Sequence, residues 1–375
     1  MLHRKLLEVL VRLNGTEQKQ LRLFLESPYF VQGQNTNLIL PLYDLIIRNG
    51  ADEMSPNLEK SAVFSHLFPD KVFLSKEKSP LDSLSSELFR LVRVFLSQQY
   101  FENKKSKVTD SVALMTFYRK SGLEERFWQI VESTRKTQNE IENRGADYFY
   151  NQFVIEEEIS NFLGIYNTYE DDANLKNANL FLDSFFSILK LEQACALTHR
   201  SRISQIVDLP PNTLTEAVLL LANNEAYLKS PLITIYKKIL SFIESTPSPD
   251  DLEEFKRLID KEKLTIPPEK YRDIQSYFRS FWIRQSLRSG NPNDRLVIFE
   301  LYNDHLYKGY LYIDDKLTPM ALRVLTNAGL KVGQFPWVKK LLDDHPPERI
   351  CGTKYPVEAH SLNVAEYHFH KKEYA

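Results

Sequence analysis

The chain is short of glycine, with 11 among its 375 residues. That leaves hardly any material for a backbone loop that cradles phosphate, and no Walker A loop, GxGxxG, GxSxG, HExxH or EF-hand loop occurs. Cysteine is scarcer still. Cys195 and Cys351 stand far apart and form neither a Cys-x-x-Cys pair nor an even-numbered framework, which predicts a reducing compartment and two buried, inert thiols. Nor is one charge in excess: 48 Lys and Arg face 50 Asp and Glu, a net charge of −2. No global positive field therefore exists to hold nucleic acid or an anionic membrane. No stretch approaches the ~18 uninterrupted apolar residues of a membrane span. The basic start Met1-Leu2-His3-Arg4-Lys5 does not open a signal peptide, because Glu8 and Arg12 break the apolar run into an amphipathic helix. These absences predict a soluble, cytoplasmic protein.

What is present favours helices. The chain is 43% hydrophobic, enough to build a core. Abundant Leu, Lys and Glu, with few alternating Val- or Thr-rich runs, predict an all-α fold. Residues 1–102 read as one N-terminal helical module. Leu6, Leu7, Leu10 and Leu13 give a first helix its inner face. Asn14-Gly15-Thr16 ends it, and Thr16 is placed to cap a second helix that turns Leu21, Phe24 and Leu25 inward. Pro28, in Ser27-Pro28-Tyr29-Phe30, stops that helix. A third helix runs from about Asn37 to Arg48, with Leu38, Leu42, Leu45 and Ile46 on one side, and a fourth from about Leu58 to Leu67. In the fifth, Leu81, Leu84, Leu88, Val92, Phe95 and Leu96 recur at threes and fours, while Asp82, Ser86, Glu87, Arg90 and Arg93 stay outside. The polar run from Glu102 to Lys107 marks a boundary.

Residues 108–375 read as a helical-repeat region. Breakers such as Lys120-Ser121-Gly122, Arg144-Gly145, Leu209-Pro210-Pro211-Asn212, Thr246-Pro247-Ser248-Pro249, Ile266-Pro267-Pro268, Ser289-Gly290-Asn291-Pro292 and His345-Pro346-Pro347 punctuate long helical patterns. The later ones fall roughly every 20 to 45 residues, the scale of stacked helical hairpins. Thr318 is set as an N-cap with Pro319 in the first turn. Between 147 and 205 breakers are rare. There Tyr148, Phe149, Phe153, Phe162, Tyr166 and Tyr169 form an aromatic crowd that reads as packing.

From Thr318 onward the order helix, turn, helix begins to repeat, and both turns carry an aromatic: Gly333-Gln334-Phe335-Pro336-Trp337 and Lys372-Glu373-Tyr374-Ala375. Thr326 and Ala328 supply small residues in the first helix, Gly333 and Phe335 form its turn, and Val338, Leu341 and Leu342 face the core. In the next unit Ala365 takes the small position and His368-Phe369 the aromatic one. This segment resembles the tetratricopeptide repeat. Phe335 to Tyr374 spans 374 − 335 = 39 positions, against about 34 in the standard repeat; the loop Asp343 to Glu348 absorbs the excess. No tryptophan opens either unit and Lys372 stands where glycine is usual, so the repeats are divergent. The whole chain also resembles a bacterial family of helical proteins without an assigned activity, through Ser27-Pro28-Tyr29-Phe30, Val63-Phe64 to Leu67-Phe68-Pro69, Phe335-Pro336-Trp337 and Tyr374. The resemblance implies a right-handed α-solenoid of divergent hairpins behind the N-terminal module. Its concave face would hold a protein or peptide partner, with Trp337, Tyr310 and Tyr312 as candidate anchors. The chain stops two residues into an expected helix, at Tyr374-Ala375, which implies a continuation.

Chemistry is sparse. Ser133-Thr134-Arg135-Lys136 matches SxxK without its partner motifs. His368 and His370 point about 200° apart on a helix and cannot share a metal, so His368 is expected to pack and His370 to face solvent. Glu156-Glu157-Glu158 and Asp171-Asp172 read as solvated faces and a helix start. No catalytic, cofactor-binding or metal-ligating residue is assigned, and no enzyme activity or cofactor is expected. A second reading is a bacterial transcriptional regulator with a winged-helix-like N-terminal module. It would place Arg90 and Arg93 on duplex DNA with Lys76, Lys78, Lys104, Lys105 and Lys107 near phosphates. Against it, Asp82 and Glu87 share that helix face and no β-wing pattern follows.

Overall fold

The structure, a computed structural model, describes residues 3–32, 36–51, 55–70, 73, 79–104, 107–166, 173–204, 213–224, 230–289, 291 and 293–372. Among them the fold is all-α: seventeen α-helices, two 3-10 turns and one two-stranded hairpin. The breaker 209–212, Tyr169, Asp171, Asp172 and Tyr374-Ala375 lie outside the described residues. The chain forms two compact units, Met1–Lys107 and Val108–Ala375.

The first unit holds α1 (Arg4–Leu10), α2 (Gly15–Glu26), α3 (Thr36–Arg48), α4 (Lys60–Leu67) and α5 (Pro80–Lys104). The spine is α5, against which α1, α2 and α3 pack. Its Leu81, Leu84, Leu88, Leu91, Val92 and Phe95 share one core with Leu6, Leu10, Leu21, Phe24, Ile39 and Phe64. Two sequence expectations need correction. The cap of α2 is Asn14, not Thr16: Asn14 Oδ1 accepts from the Thr16 and Glu17 amides at 2.9 and 3.0 Å, and Glu17 Oε2 accepts the Asn14 amide at 2.8 Å. That reciprocal capping box satisfies three otherwise orphaned donors. In α3 the buried face is Ile39, Leu42, Tyr43 and Ile46, with Leu38 and Leu45 only half-buried. The reason is Tyr43, whose hydroxyl donates to the Gln18 carbonyl at 2.7 Å and anchors that face to α2. The polar run begins inside helix, since α5 extends to Lys104.

The second unit runs from α6 (Lys107–Lys120) and α7 (Glu124–Asn139) through α8 (Ala146–Tyr166), α9 (Ala173–Ser204), α10 (Thr213–Ala222), α11 (Pro231–Glu244), α12 (Pro249–Lys261), α13 (Pro268–Ser289) and α14 (Asp294–Tyr307). Strands β1 (Tyr312–Ile313) and β2 (Lys316–Leu317) follow, then α15 (Pro319–Lys331), α16 (Phe335–Asp344) and α17 (Pro356–Lys371). Caps explain several starts. Ser248 and Asp251 form a capping box with Pro249 in the first turn of α12, and Thr318 Oγ1 accepts the Ala321 amide at 3.2 Å to open α15. At the far end of α17, Lys372 adopts a left-handed φ of 59° in the position glycine usually fills. The acidic triplet in α8 is not simply solvated. Glu156 is buried and ion-paired to Arg135 at 2.7 Å, Glu158 pairs with Arg119 at 3.0 Å, and only Glu157 faces water. A helix turns each residue 100°, so two of three consecutive carboxylates can reach basic partners on α6 and α7.

The C-terminal register also differs from expectation. Thr326 is fully buried, but the position of closest helix approach is Gly329, not Ala328. A Cβ at Gly329 would sit 2.5 Å from Val338 Cγ2 and 3.1 Å from Trp337 Cε3. In α17 the inward residues are Asn363 and Tyr367, while Ala365, His368, Phe369 and His370 are exposed. Helical phase places Asn363 and Tyr367 four apart on one face, and Ala365 and Phe369 on another. Gly329→Ala is expected to destabilise by about 1–3 kcal/mol, although alanine is the better helix former by ~1 kcal/mol. Combined with Val338→Ala, the loss should be smaller than the sum of the single changes. Strictly additive unfolding midpoints in urea would show that the two positions do not meet.

Candidate functional site

The apolar side of α13 carries Ile274, Phe278 and Phe281 into the core with Phe255 and Ile239. Beside it runs a second stripe, Arg272, Ser276, Arg279 and Ile283, at helical spacing. This stripe forms one wall of a cleft of about 420 Å³. The opposite wall is the start of α15, with Met320, Ala321 and Val324. Tyr302 of α14 and the segment Tyr310–Ile313 complete the lining.

Arg279 is the unusual member. It is 9% exposed, and among the described residues its one hydrogen bond runs from Nη1 to His305 Nδ1 at 2.6 Å. No carboxylate lies within ion-pair distance of it among the described residues. Guanidinium only donates, so His305 Nδ1 accepts and the imidazole is neutral with its proton on Nε2. His305 is 3% exposed. Burial first, then the adjacent Arg279 charge, push its pKa down from 6.5 to about 3. Burial likewise holds the Arg279 pKa below its ordinary value, opposed only by Tyr302. A guanidinium remains charged in any folded protein. Removing one partner from a buried ion pair costs about 3–5 kcal/mol because a charge is left uncompensated, and Arg279 sits in that situation natively.

The aromatic rim is fixed from within. Tyr312 donates its hydroxyl to His345 Nε2 at 2.8 Å, and His345 Nδ1 donates to the Leu341 carbonyl at 2.8 Å. Tyr310 lies edge-on to Tyr271 and His305, at 5.7 and 5.5 Å. Neither tyrosine is a free anchor; both are half-buried. Trp337 is half-buried too. Its Nε1 donates to Asn303 Oδ1 at 2.9 Å and its ring meets Phe299 edge-on at 5.0 Å.

Other candidates do not converge. Ser280 Oγ lies 3.1 Å from His199 Nε2. Among the described residues no hydrogen-bonded group orients His199 through Nδ1, and burial with Arg284 nearby lowers its pKa, so it makes a poor general base. Cys195 is fully buried, gives its Sγ–H to the Tyr236 carbonyl at 3.4 Å, and burial pushes its pKa up to about 12, which makes it inert. Cys351 is half-buried. Ser133 and Lys136 are exposed, and Ser133 Oγ donates to the Ile130 carbonyl. Among the described residues no three His, Cys, Asp or Glu side chains come together to hold a metal. In the first unit, Arg90 is neutralised by Glu87 at 2.7 Å while Arg93 is exposed. No strand accompanies them among the described residues. Lys76, Lys78 and Lys105 lie outside those residues. No described helix is long and apolar enough to cross a membrane. Protein-family models, curated proteins and solved structures give no match to this protein.

The cleft was not read from the sequence. Its signal was available: Arg279 interrupts the apolar run Tyr277-Phe278 to Phe281-Trp282, and a charge amid aromatics on a core helix marks a buried cation. The His305 pKa gives a signed expectation. The unfolded chain takes up a proton near pH 6.5, whereas the folded His305 resists it to about 3. The stability due to neutral His305 is complete above pH 6.5 and falls as pH drops toward 3, by up to about 1.4 kcal/mol per pH unit. His305→Gln, which keeps an acceptor for Arg279, should flatten the fall in urea midpoint between pH 7 and 4.5. Parallel profiles for the two proteins would show that His305 does not titrate this way.

Proposed function

We propose that this protein is a non-enzymatic protein-interaction scaffold built from divergent helical hairpins. The packing order of the second unit carries the reading. Each helix from α9 to α17 packs on the next, and α9 also touches α11, α11 touches α13, and α15 touches α17. Contact with the next-but-one helix is what stacking of hairpins produces, and it supports a solenoid-like arrangement. Among the odd-numbered helices from α9 to α17 one such contact is missing: among the described residues no comparable packing joins α13 to α15, and the Arg279 cleft opens between them. Proteins of this kind bind through surfaces assembled from successive helices, so the lapse is where a partner is expected to enter.

The test uses Met320, which is 69% exposed at the cleft rim. With p-benzoylphenylalanine in place of Met320, illumination in extract of the source cells should link one stoichiometric protein. The same group at Leu220, 74% exposed on α10, serves as the control and should not. Equal labelling at both positions, or none, counts against the scaffold. Salt-sensitive retention of duplex DNA that disappears with Arg90→Ala and Arg93→Ala would replace it with the regulator reading.

A further inference from the structure

We infer that the cleft between α13 and α15 binds a peptide carboxylate, with Arg279 as its counter-ion. The inference rests on the scaffold reading and names the group that the partner brings. Nη1 of Arg279 is taken by neutral His305. That leaves Nε and Nη2, the side-on edge of the guanidinium, which pairs two N–H groups with the two oxygens of a carboxylate. Neither nitrogen is sealed away without a partner, and the residue lines the cleft, so this edge is reachable from the opening. Tyr302 adds a donor. Its half-buried side chain is close enough for Arg279 to act on its pKa, and its hydroxyl has no hydrogen bond among the described residues.

Charge selects the class of anion. Asp273 at the exposed mouth has Arg272 beside it as its counter-charge, while Lys270 is paired to Glu192. Arg279 is thus one uncompensated positive charge, matched to a monoanion rather than to a phosphate dianion. Shape adds the rest. The cleft is larger than a carboxylate needs, and Leu311, Ile283, Met320 and Val324 line it with apolar surface. A residue that couples a carboxylate to an aliphatic stem fills both parts: a carboxy-terminal residue with an apolar side chain, or an internal glutamate.

The experiment titrates the full-length protein with N-acetyl-leucine, the α-amide of N-acetyl-glutamic acid, uncharged N-acetyl-leucinamide and inorganic phosphate, following the Arg279 Nε–H resonance. Saturable shifts are expected with one or both acids, at least about tenfold tighter than with leucinamide. The tighter acid identifies a terminal or a side-chain carboxylate as the source. Arg279→Gln, which still donates to His305, should abolish the acid preference as read by thermal shift. In the absence of any ligand it should melt no lower than the native protein, because it removes an uncompensated charge. Tyr302→Phe should weaken the tighter acid while leaving Arg279 in place. Leucinamide binding as well as the acids, phosphate binding tighter than either acid, or an Arg279→Gln protein that melts lower or fails to fold would overturn the inference. Crosslinking through position 320 alongside failed carboxylate probes would remove this inference and leave the scaffold standing. Acid binding without a crosslinked protein would do the reverse.

Discussion

Two arginines from different helices terminate α11, and the second unit is organised around that helix. Eight of its fourteen residues are buried, from Leu232 to Ile243, so it needs cover on nearly every side. Packing by α9, α10, α12 and α13 provides it. The last turn of a helix leaves its final carbonyls without helical partners, and one that is buried unpaired, as those of Phe242 and Ile243 would be, costs about 1–3 kcal/mol. Arg202 of α9 donates to the Glu244 carbonyl at 2.7 Å. Arg284 of α13 donates to the carbonyls of Phe242 and Ile243. Both place positive charge at the negative end of the helix dipole. The polar staples and the apolar burial therefore fix the same two helices, α9 and α13, on either flank of α11.

With α13 held in this way, its two inner arginines meet opposite fates. Arg284, five residues beyond Arg279, directs its donors to carbonyls. Arg279 turns instead toward α14 and meets an imidazole that burial keeps neutral. A hydrogen bond to a neutral acceptor stabilises much less than an ion pair with a carboxylate. Stability alone would favour a methionine or leucine at this position, as buried ionic groups replaced by apolar ones of similar volume often show. The charge is therefore better explained by what enters the cleft than by what surrounds it.

The all-α class, the helices of the first unit and the cap at Thr318 were legible because they depend on local chemistry: period, capping oxygen and proline position. The misses share a different cause. Asn14 and Thr16 are both competent caps, and only the reciprocal bond to Glu17 decides between them. Gly329, Glu156 and Arg279 take their meaning from Val338, Arg135 and the absence of a carboxylate partner. Each of these is a fact about another helix, which periodicity within one helix does not encode. Composition also gave no sign of the β1–β2 hairpin, two residues per strand.

That hairpin and the loop after α16 are parts of one device, because the loop holds the hairpin in place. His345 accepts the Tyr312 hydroxyl. Ile350 pairs with Leu317 in a parallel bridge, and the Cys351 amide donates to the Leu317 carbonyl at 2.9 Å. Asp314 and Asp315 take the left-handed conformations that the tight turn between the strands requires. Here a short β-turn is inserted between α14 and α15 and tied down by the loop of the following hairpin. The tied-down hairpin thus keeps the aromatic rim of the cleft rigid, so that the carboxylate inferred above need not spend binding energy on ordering it.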